Sequence, residues 1–131
     1  MANNVQTIQV DAGAYSTAHI LISGSTHAAF HQRVIVNVEN SDGSQTHTFN
    51  GSGEGTPFGS SFTLDSVKLP ATITFTFEYS QDGSNYYPSN RSEQDPMVNQ
   101  PAIKVYSVFS EDSTDNDDND SYMYASIHMN Q

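Results

Sequence analysis

The sequence predicts an all-β protein, an antiparallel β-sandwich of about nine short strands that forms a single domain over residues 1–131. Two stretches alternate between apolar and polar residues, which is the period of a half-buried strand. Clusters of Gly, Ser, Asn, Asp and Pro separate the apolar stretches at the spacing of turns. No helical period extends over about ten residues, so strands and turns are expected throughout.

The predicted strands follow one another along the chain on the same grounds. Alternation is clearest at 33–39 and 71–80, where every second residue is apolar. Residues 86–101 contain three prolines, and their composition predicts a long surface loop. The eight strands that can be placed on the sequence are 5–10, 17–22, 33–39, 45–49, 61–65, 71–80, 103–109 and 121–129. The residues predicted to share inward faces are Val34, Val36, Val38, Ile73, Phe75, Phe77, Tyr79, Met123, Ala125, Ile127 and Met129.

The charge of the chain excludes several classes of partner. There are 15 acidic residues against four Lys and Arg, for a net charge of −11. Binding to nucleic acid or to an anionic membrane surface needs clustered basic residues, so neither is expected. No stretch approaches the roughly 18 apolar residues of a membrane span, so no membrane insertion is expected.

Cysteine is absent, so neither a disulfide nor a thiolate zinc site is expected. The first residues, MANNVQTIQVDAGAYS, contain neither the basic region nor the apolar region of a secretory signal. We therefore expect a protein made in the cytoplasm without a Sec signal. If it acts outside the cell, we expect it to be released or surface-associated by another route.

Residues 110–120, SEDSTDNDDND, hold six carboxylates and two carboxamides. We call this segment the acidic run. Like charges this close repel by roughly 1 kcal/mol per pair even in a water-like dielectric. The acidic run therefore either stays solvated, as charge runs commonly do, or binds a cation. Because it lies between two predicted strands, its acids are held together, which favours the cation.

Calcium is the cation that this pattern favours. It takes about six to eight oxygen ligands from carboxylates, carboxamides and carbonyls, and alternate acidic positions in one loop can supply them. The EF-hand pattern fails, because Asp120 stands where its Gly is needed and Ser126 where its last Glu is needed. The candidate ligands are Glu111, Asp115, Asp117, Asn119 and Asp120.

The acidic run resembles the calcium loop S-E-D-G-T-D-N-D-Y-N-D of the two-calcium bacterial lectins that bind fucose and mannose. Nine of its eleven positions agree, and the exceptions are Ser113 and Asp118. The stretch ILISGSTHAAFHQRVIVNV, residues 20–38, is also similar to a family segment when a short insertion is allowed. That segment consists of a strand, an Asn-Ser-Ser-Gly loop and a valine-rich strand.

The resemblance implies one calcium-dependent lectin-like domain over residues 1–131 with two calcium ions per subunit. Vicinal hydroxyls of a fucose- or mannose-type monosaccharide, free or in a glycoconjugate, would complete the coordination of the ions. Four ligand carboxylates would balance the charge of the two ions without any Lys or Arg. The implied metal ligands are Glu111, Asp115, Asp117, Asn119, Asp120, the backbone carbonyl of Ser23 and, from a neighbouring subunit, Gln131.

The resemblance also implies residues that contact the sugar. Asp112 would accept a hydrogen bond from a sugar hydroxyl, and a three-residue loop at 24–26 would influence the choice of sugar. A ligand from a neighbouring subunit implies a homodimer or a homotetramer. The implied sugar-binding residues are Ser23, Gly24, Ser25, Thr26, Asp112, Asp115 and Asp117.

Three function hypotheses follow. The first is the calcium-dependent lectin, and the second is a calcium-stabilised structural or adhesion module that does not bind sugar. The third is a hydrolase with paired carboxylates. It is disfavoured because every acid of the cluster is explained as a ligand, so no general acid remains and no enzyme is expected.

Two other groups of side chains have alternative interpretations. His27 and His31 lack a third ligand, which disfavours a zinc site. The aromatic residues Tyr15, Phe30, Tyr86 and Tyr87 are compatible with stacking on a sugar ring or with packing inside the sandwich, and packing is the commoner use.

Overall fold

The computed structural model describes residues 3–111 and 120–131, and within these ranges the chain forms nine strands and no α-helix. The predicted all-β class and strand number are confirmed. In this part of the chain no helix is long and apolar enough to span a membrane. The strands are β1 (Val5–Val10), β2 (Thr17–Asn40), β3 (Gly43–Pro57), β4 (Phe62–Lys68), β5 (Ala71–Ser80), β6 (Tyr87–Pro88), β7 (Arg91–Asn99), β8 (Ile103–Glu111) and β9 (Ser121–Asn130).

Strand β2 connects the two layers of the sandwich. Residues 17–26 of β2 pair with β9, and part of this stretch also pairs with β4. Residues 31–39 pair with β5, and residues 32–40 pair with β3. One layer therefore contains β1, β5 and β3, and the other contains β4, β9, β8 and β7, with β2 shared between them.

The two ends of this continuous sheet, β1 and β7, approach each other. Gln6 Nε2 donates to the carbonyl of Ser92 at 3.0 Å, and Gln94 Nε2 donates to the carbonyl of Thr7 at 3.2 Å. Ser92 Oγ donates to the carbonyl of Asn3 at 2.7 Å. These contacts bring the antiparallel sheet close to closure on the side of β1 and β7.

The core lies between the two layers, and the alternating apolar residues build it. Phe75 and Phe77 are fully buried, and they pack in one cluster with Val34 from the same layer and Ile127 from the other. All but one of the residues predicted to face inward are buried. The exception is Tyr79, which is half-buried at the end of β5.

Two segments predicted as loops are strands. Residues 86–101 contain β6 and β7. A strand is possible here because Pro96 lies at a register shift of the β7–β8 pair, where a missing backbone N–H is tolerated. Residues 50–57, which are rich in glycine, belong to β3. Its pairing with β2 is irregular there, and Gly53 and Gly55 have the positive φ values 108° and 62°. Composition indicated turns at both places because bulged strands need the same residues as turns do.

We expect Phe75→Ala to lower the free energy of unfolding by about 3 to 5 kcal/mol, because it removes a fully buried ring and leaves a cavity. Denaturant unfolding with and without the substitution measures this loss. The control is Thr74→Ala, on the opposite face of β5, which should cost less than about 1 kcal/mol. Equal losses at the two positions would contradict the assignment of the inward face.

Candidate functional site

The acidic run begins and ends on a β-hairpin. Glu111 is the last residue of β8, Asp120 directly precedes β9, and Ser110 pairs with Ser121 between them. The N–H of Asp120 donates to the carbonyl of Ser110 at 2.9 Å. The hairpin therefore brings the two ends of the acidic run together, as its position between two strands predicted.

The two predicted ligands at these ends are buried. Glu111 is 0% exposed and Asp120 is 1% exposed. The other acidic-run residues with predicted roles lie outside the residues that the structure describes. Within residues 3–111 and 120–131 no three His, Asp or Glu side chains group together as a metal site. The predicted roles that remain untested on this account are those of Asp112, Asp115, Asp117 and Asn119.

Backbone hydrogen bonds fix the neighbours of Glu111 and Asp120. The N–H of Asn90 donates to the carbonyl of Glu111 at 2.9 Å, and the N–H of His27 donates to the carbonyl of Asp120 at 3.0 Å. The start of β7 and the middle of β2 are therefore the elements that adjoin the buried carboxylates.

The prediction of a three-residue loop at 24–26 is wrong. These residues continue β2 and pair with β9, and Ser23 lies opposite Tyr124. Tyr124 is three residues beyond Ser121, so the Ser23 position is roughly 10 Å along the strand from the end of the acidic run. A Cβ atom on Gly24 would collide with the sulfur of Met123, so this glycine is explained by strand packing.

Thr26 is the member of the predicted sugar-binding loop that comes nearest to the acidic run, because it pairs with Ser121. Its side chain is fully buried, and its hydroxyl donates to the carbonyl of Gly53 at 2.8 Å. This hydroxyl is therefore used to attach β2 to β3. The structure does not bring Ser23, Gly24 or Ser25 to the buried carboxylates.

Sequence reasoning missed the segment that does adjoin them. Residues 27–31 lie where β2 stops pairing with β9 and begins to pair with β5. The pairing of β2 with β3 is interrupted there, between Ala28 and Gln32. We call residues 27–31 the crossover segment. The resemblance to the lectin family required an insertion between residues 20–26 and the valine-rich strand. An alignment without this insertion moves the predicted loop towards the crossover segment, so the insertion was a signal that could have identified the segment.

Gln32, the residue that follows the crossover segment, joins the two layers. Its side chain is 0% exposed, and its Oε1 accepts a hydrogen bond from Ser121 Oγ at 3.0 Å. Ser121 follows Asp120, so this contact ties the end of the acidic run to β2. A buried hydrogen bond of this kind fixes the position of the strands on either side.

Gln131 lies at the other end of β9. About ten strand residues separate it from Asp120, which corresponds to roughly 30 Å. Within one chain it therefore does not approach Glu111 and Asp120. Its predicted role as a ligand requires a neighbouring subunit, and that role stays a prediction.

A turn at residues 80–85 lies beside the crossover segment, since His31 pairs with Ser80. Asp82 Oδ1 accepts hydrogen bonds from the N–H groups of Ser84 and Asn85, both at 2.8 Å, and from Ser80 Oγ at 2.8 Å. These hydrogen bonds hold the pKa of the Asp82 carboxyl well below its ordinary value, and the bond from the backbone N–H of Asn85 has the largest effect. We call residues 80–85 the Asp82 turn.

The chain is similar to known proteins over nearly all of its length. The sequence profile of the fucose-binding lectin II family (PA-IIL) matches residues 8–129. A comparison with curated protein sequences gave no match.

Similar solved structures include a high-affinity mannose-binding lectin of Ralstonia solanacearum, with a TM-score of 0.59, 24% identity and 96% of each chain covered. The C-terminal domain of the BC2L-C lectin of Burkholderia cenocepacia has a TM-score of 0.64 at 20% identity and covers 96% of this chain and 97% of that one. The lectin CV2L of Chromobacterium violaceum, in complex with α-methyl-fucoside, has a TM-score of 0.56 at 18% identity and 96% coverage of both chains. At these identities the similarity establishes the fold.

We expect the Asp82 turn to be fully stable above the unfolded-state pKa of Asp, about 3.9. Its stability should fall as the pH drops from there towards the lower folded-state pKa, because protonation removes the charge that accepts the hydrogen bonds. Amide exchange at Ser84 and Asn85 measures this. Protection that stays unchanged between about pH 5 and pH 2 would contradict the assignment. At neutral pH, Asp82→Asn should lower the protection of the same two amides.

Proposed function

Because the chain belongs to the fucose-binding lectin II family, we propose that it is a calcium-dependent lectin that binds a fucose- or mannose-type monosaccharide through two calcium ions. The observation that carries the calcium part of this proposal is the buried pair Glu111 and Asp120. They stand at the two ends of the acidic run and are joined by the β8–β9 hairpin.

The donor set of this hairpin fits calcium. Burying ionised carboxylates is strongly unfavourable unless an opposite charge lies near them. Of the four Lys and Arg residues, Arg33 binds Glu78 and Lys104 binds the side chain of Asn99. Lys68 lies opposite Thr17, at the other end of the β2–β9 pair from Asp120. Arg91 pairs with Glu111 across β7 and β8, but one guanidinium does not balance the six carboxylates of the acidic run. Divalent cations with oxygen ligands would supply the missing positive charge.

We propose distinct tasks for the acidic residues. Asp112 accepts a hydrogen bond from a sugar hydroxyl, while the remaining acids and one carboxamide coordinate calcium through oxygen atoms. Bound calcium would supply positive charge and coordination positions for two vicinal hydroxyls of the sugar. The proposed metal ligands in the acidic run are Glu111, Asp115, Asp117, Asn119 and Asp120.

We also propose that the crossover segment performs the roles predicted for residues 23–26, the backbone ligand and the choice of sugar. The support is positional, since His27 rather than Ser23 is hydrogen-bonded to Asp120. A backbone ligand does not depend on side-chain identity, so the departure from the Asn of the family pattern is compatible with this role. We propose at least a homodimer, because the proposed role of Gln131 as a calcium ligand requires a neighbouring subunit.

One observation favours the alternative of a calcium-stabilised module without sugar binding. Ala28 and Ala29 of the crossover segment have no polar side-chain atoms with which to bind a hydroxyl. The hydrolase alternative requires a carboxyl group free to protonate a leaving group, whereas the proposal uses the acids as ligands. Turnover of an aryl glycoside tests the hydrolase, and we expect none.

Calcium should stabilise the fold strongly. At about 100 times its dissociation constant, a ligand that binds only the folded state adds roughly 2.7 kcal/mol of stability. We expect Glu111→Gln and Asp120→Asn to abolish this gain, as measured by thermal unfolding in millimolar calcium and in chelator. The matched control is Asp118→Asn, which removes an acid of the same run that has no proposed ligand role. A melting temperature equal in calcium and in chelator would disprove the metal site.

Asp112→Ala should separate sugar binding from calcium binding. We expect it to leave calcium affinity near that of the wild type while weakening sugar binding by about 1.5 to 3 kcal/mol, the range for a hydrogen bond to a charged group. Titration calorimetry with calcium, and then with fucose and mannose, measures the two affinities. If calcium stabilises the wild type but neither sugar binds, the alternative of a structural module replaces the lectin.

A further inference from the structure

Three aromatic side chains form a row at the end of the sandwich that carries the acidic run. Phe30 of the crossover segment stacks on Tyr79 of β5, with ring centroids 6.0 Å apart and an interplanar angle of 19°. Tyr79 contacts Tyr87 of β6, with centroids 6.3 Å apart. None of the three belongs to the core cluster, and Tyr87 is 56% exposed. We call Phe30, Tyr79 and Tyr87 the aromatic row.

The other aromatic residues singled out from the sequence have structural roles. Tyr15 packs against the core, as the commoner interpretation predicted. The guanidinium of Arg33 lies 3.9 Å from the ring centre of Tyr86, and its Nε donates to Glu78 at 2.7 Å. One face of Tyr86 is therefore covered by a cation that is itself held in place. The aromatic row has no such cover among the ring contacts of the described residues.

The aromatic row is continuous with the proposed sugar site. Tyr79 is the strand partner of Gln32, whose side chain bonds to Ser121 beside Asp120. At the other end, Tyr87 lies three residues before Asn90, whose N–H donates to the carbonyl of Glu111. Three residues of extended chain span roughly 10 Å, which is about the length of two linked sugar rings. Within this distance, the second ring of a glycan whose first ring lies beside Glu111 and Asp120 would come near the row.

The row is held in place before any ligand binds. The Asp82 turn joins β5 to the segment that carries Tyr87, and four hydrogen bonds to the Asp82 carboxylate fix it. Gly83 of this turn lies against the ring of His31, since a Cβ at Gly83 would be 3.1 Å from His31 Nε2. A surface that is already ordered loses little entropy on binding, which favours its use in recognition.

We propose that the aromatic row is a second carbohydrate subsite. Its occupant is the neutral pyranose ring linked to the terminal sugar, and the C–H groups of this ring pack against the faces of Tyr87 and Phe30 while the tyrosine hydroxyls meet its polar edge. A neutral ring is favoured over an anionic one because the acidic run and the net charge of −11 repel anions. This inference rests on the proposed function, since the terminal sugar must first be held in the calcium site.

Titration calorimetry in saturating calcium tests the subsite. The probes are methyl α-mannoside and methyl α-fucoside, compared with a panel of mannobioses that differ in linkage and with fucosyllactose. We expect at least one oligosaccharide to bind the wild type roughly tenfold more tightly than its monosaccharide, the effect of one aromatic stacking contact. Only a linkage that directs the second ring towards the row should show this gain.

The variants separate stacking from other causes. Tyr87→Ala should remove the gain for the oligosaccharide and leave the monosaccharide affinity unchanged, while Tyr87→Phe should keep most of the gain. The matched control is Tyr124→Ala, which removes a tyrosine that is 39% exposed on β9, away from the row. It should change neither affinity.

Each of the other outcomes overturns either the subsite alone or the subsite together with the proposed lectin function. If monosaccharides bind but no oligosaccharide binds more tightly, or if the gain survives in Tyr87→Ala, the subsite is wrong and the lectin function stands. If neither monosaccharides nor oligosaccharides bind in calcium, the proposed function and the subsite fall together.

Discussion

The pairing of β2 with two different sets of neighbours is the constraint on which the rest of the structure depends. Over its first part β2 pairs with β9, and over its last part it pairs with β5, so one strand supplies hydrogen bonds to both layers. A strand cannot pass between two layers in regular pairing throughout, and the irregular part falls in the crossover segment. The place where β2 changes partners is also the place where it adjoins Asp120. The fold thus puts an irregular stretch of backbone beside Glu111 and Asp120, the buried acids of the described residues.

This arrangement separates the support of the site from its chemistry. Gln32 and Ser121 join the layers behind the site, and Thr26 fastens β2 to β3, so these buried polar side chains hold the backbone in position. The carboxylates of Glu111 and Asp120 then lie at the end of a hairpin whose position is already fixed. As the proposed calcium ligands, they would lose little free energy to ordering when an ion binds, because they are preorganised in this way. Core strands supply the rigidity, and the acidic run supplies the charge.

Much of the fold was predictable from the sequence, and the exceptions have physical causes. Alternating residues such as Val36 and Phe75 identify strands, because a period of two fits only one kind of structure. That the two ends of the acidic run lie together was implied by its position between two strands, whereas the burial of Glu111 and Asp120 was not. The loop predicted at 24–26 was wrong because the small polar residues 23–26 have a loop composition, while strand register depends on partners distant in sequence. Strand β7 was missed for a related reason, since Pro96 is tolerated at a bulge that only the pairing with β8 reveals.

The proposed calcium site and the aromatic row differ in the kind of free energy on which they depend. Coordination through carboxylates depends on their ionisation and on the supply of calcium, so it responds to pH and to chelators. Stacking on Tyr87 and Phe30 would involve no charge, so the stacking contact itself would not depend on pH, although it would form only while calcium holds the terminal sugar. The terminal sugar would then be chosen by where its hydroxyls lie, and the longer glycan by the direction of its linkage. Because the second contact would be separated from the ions, a change in the aromatic row would alter glycan preference without disturbing the charge balance of the buried acids.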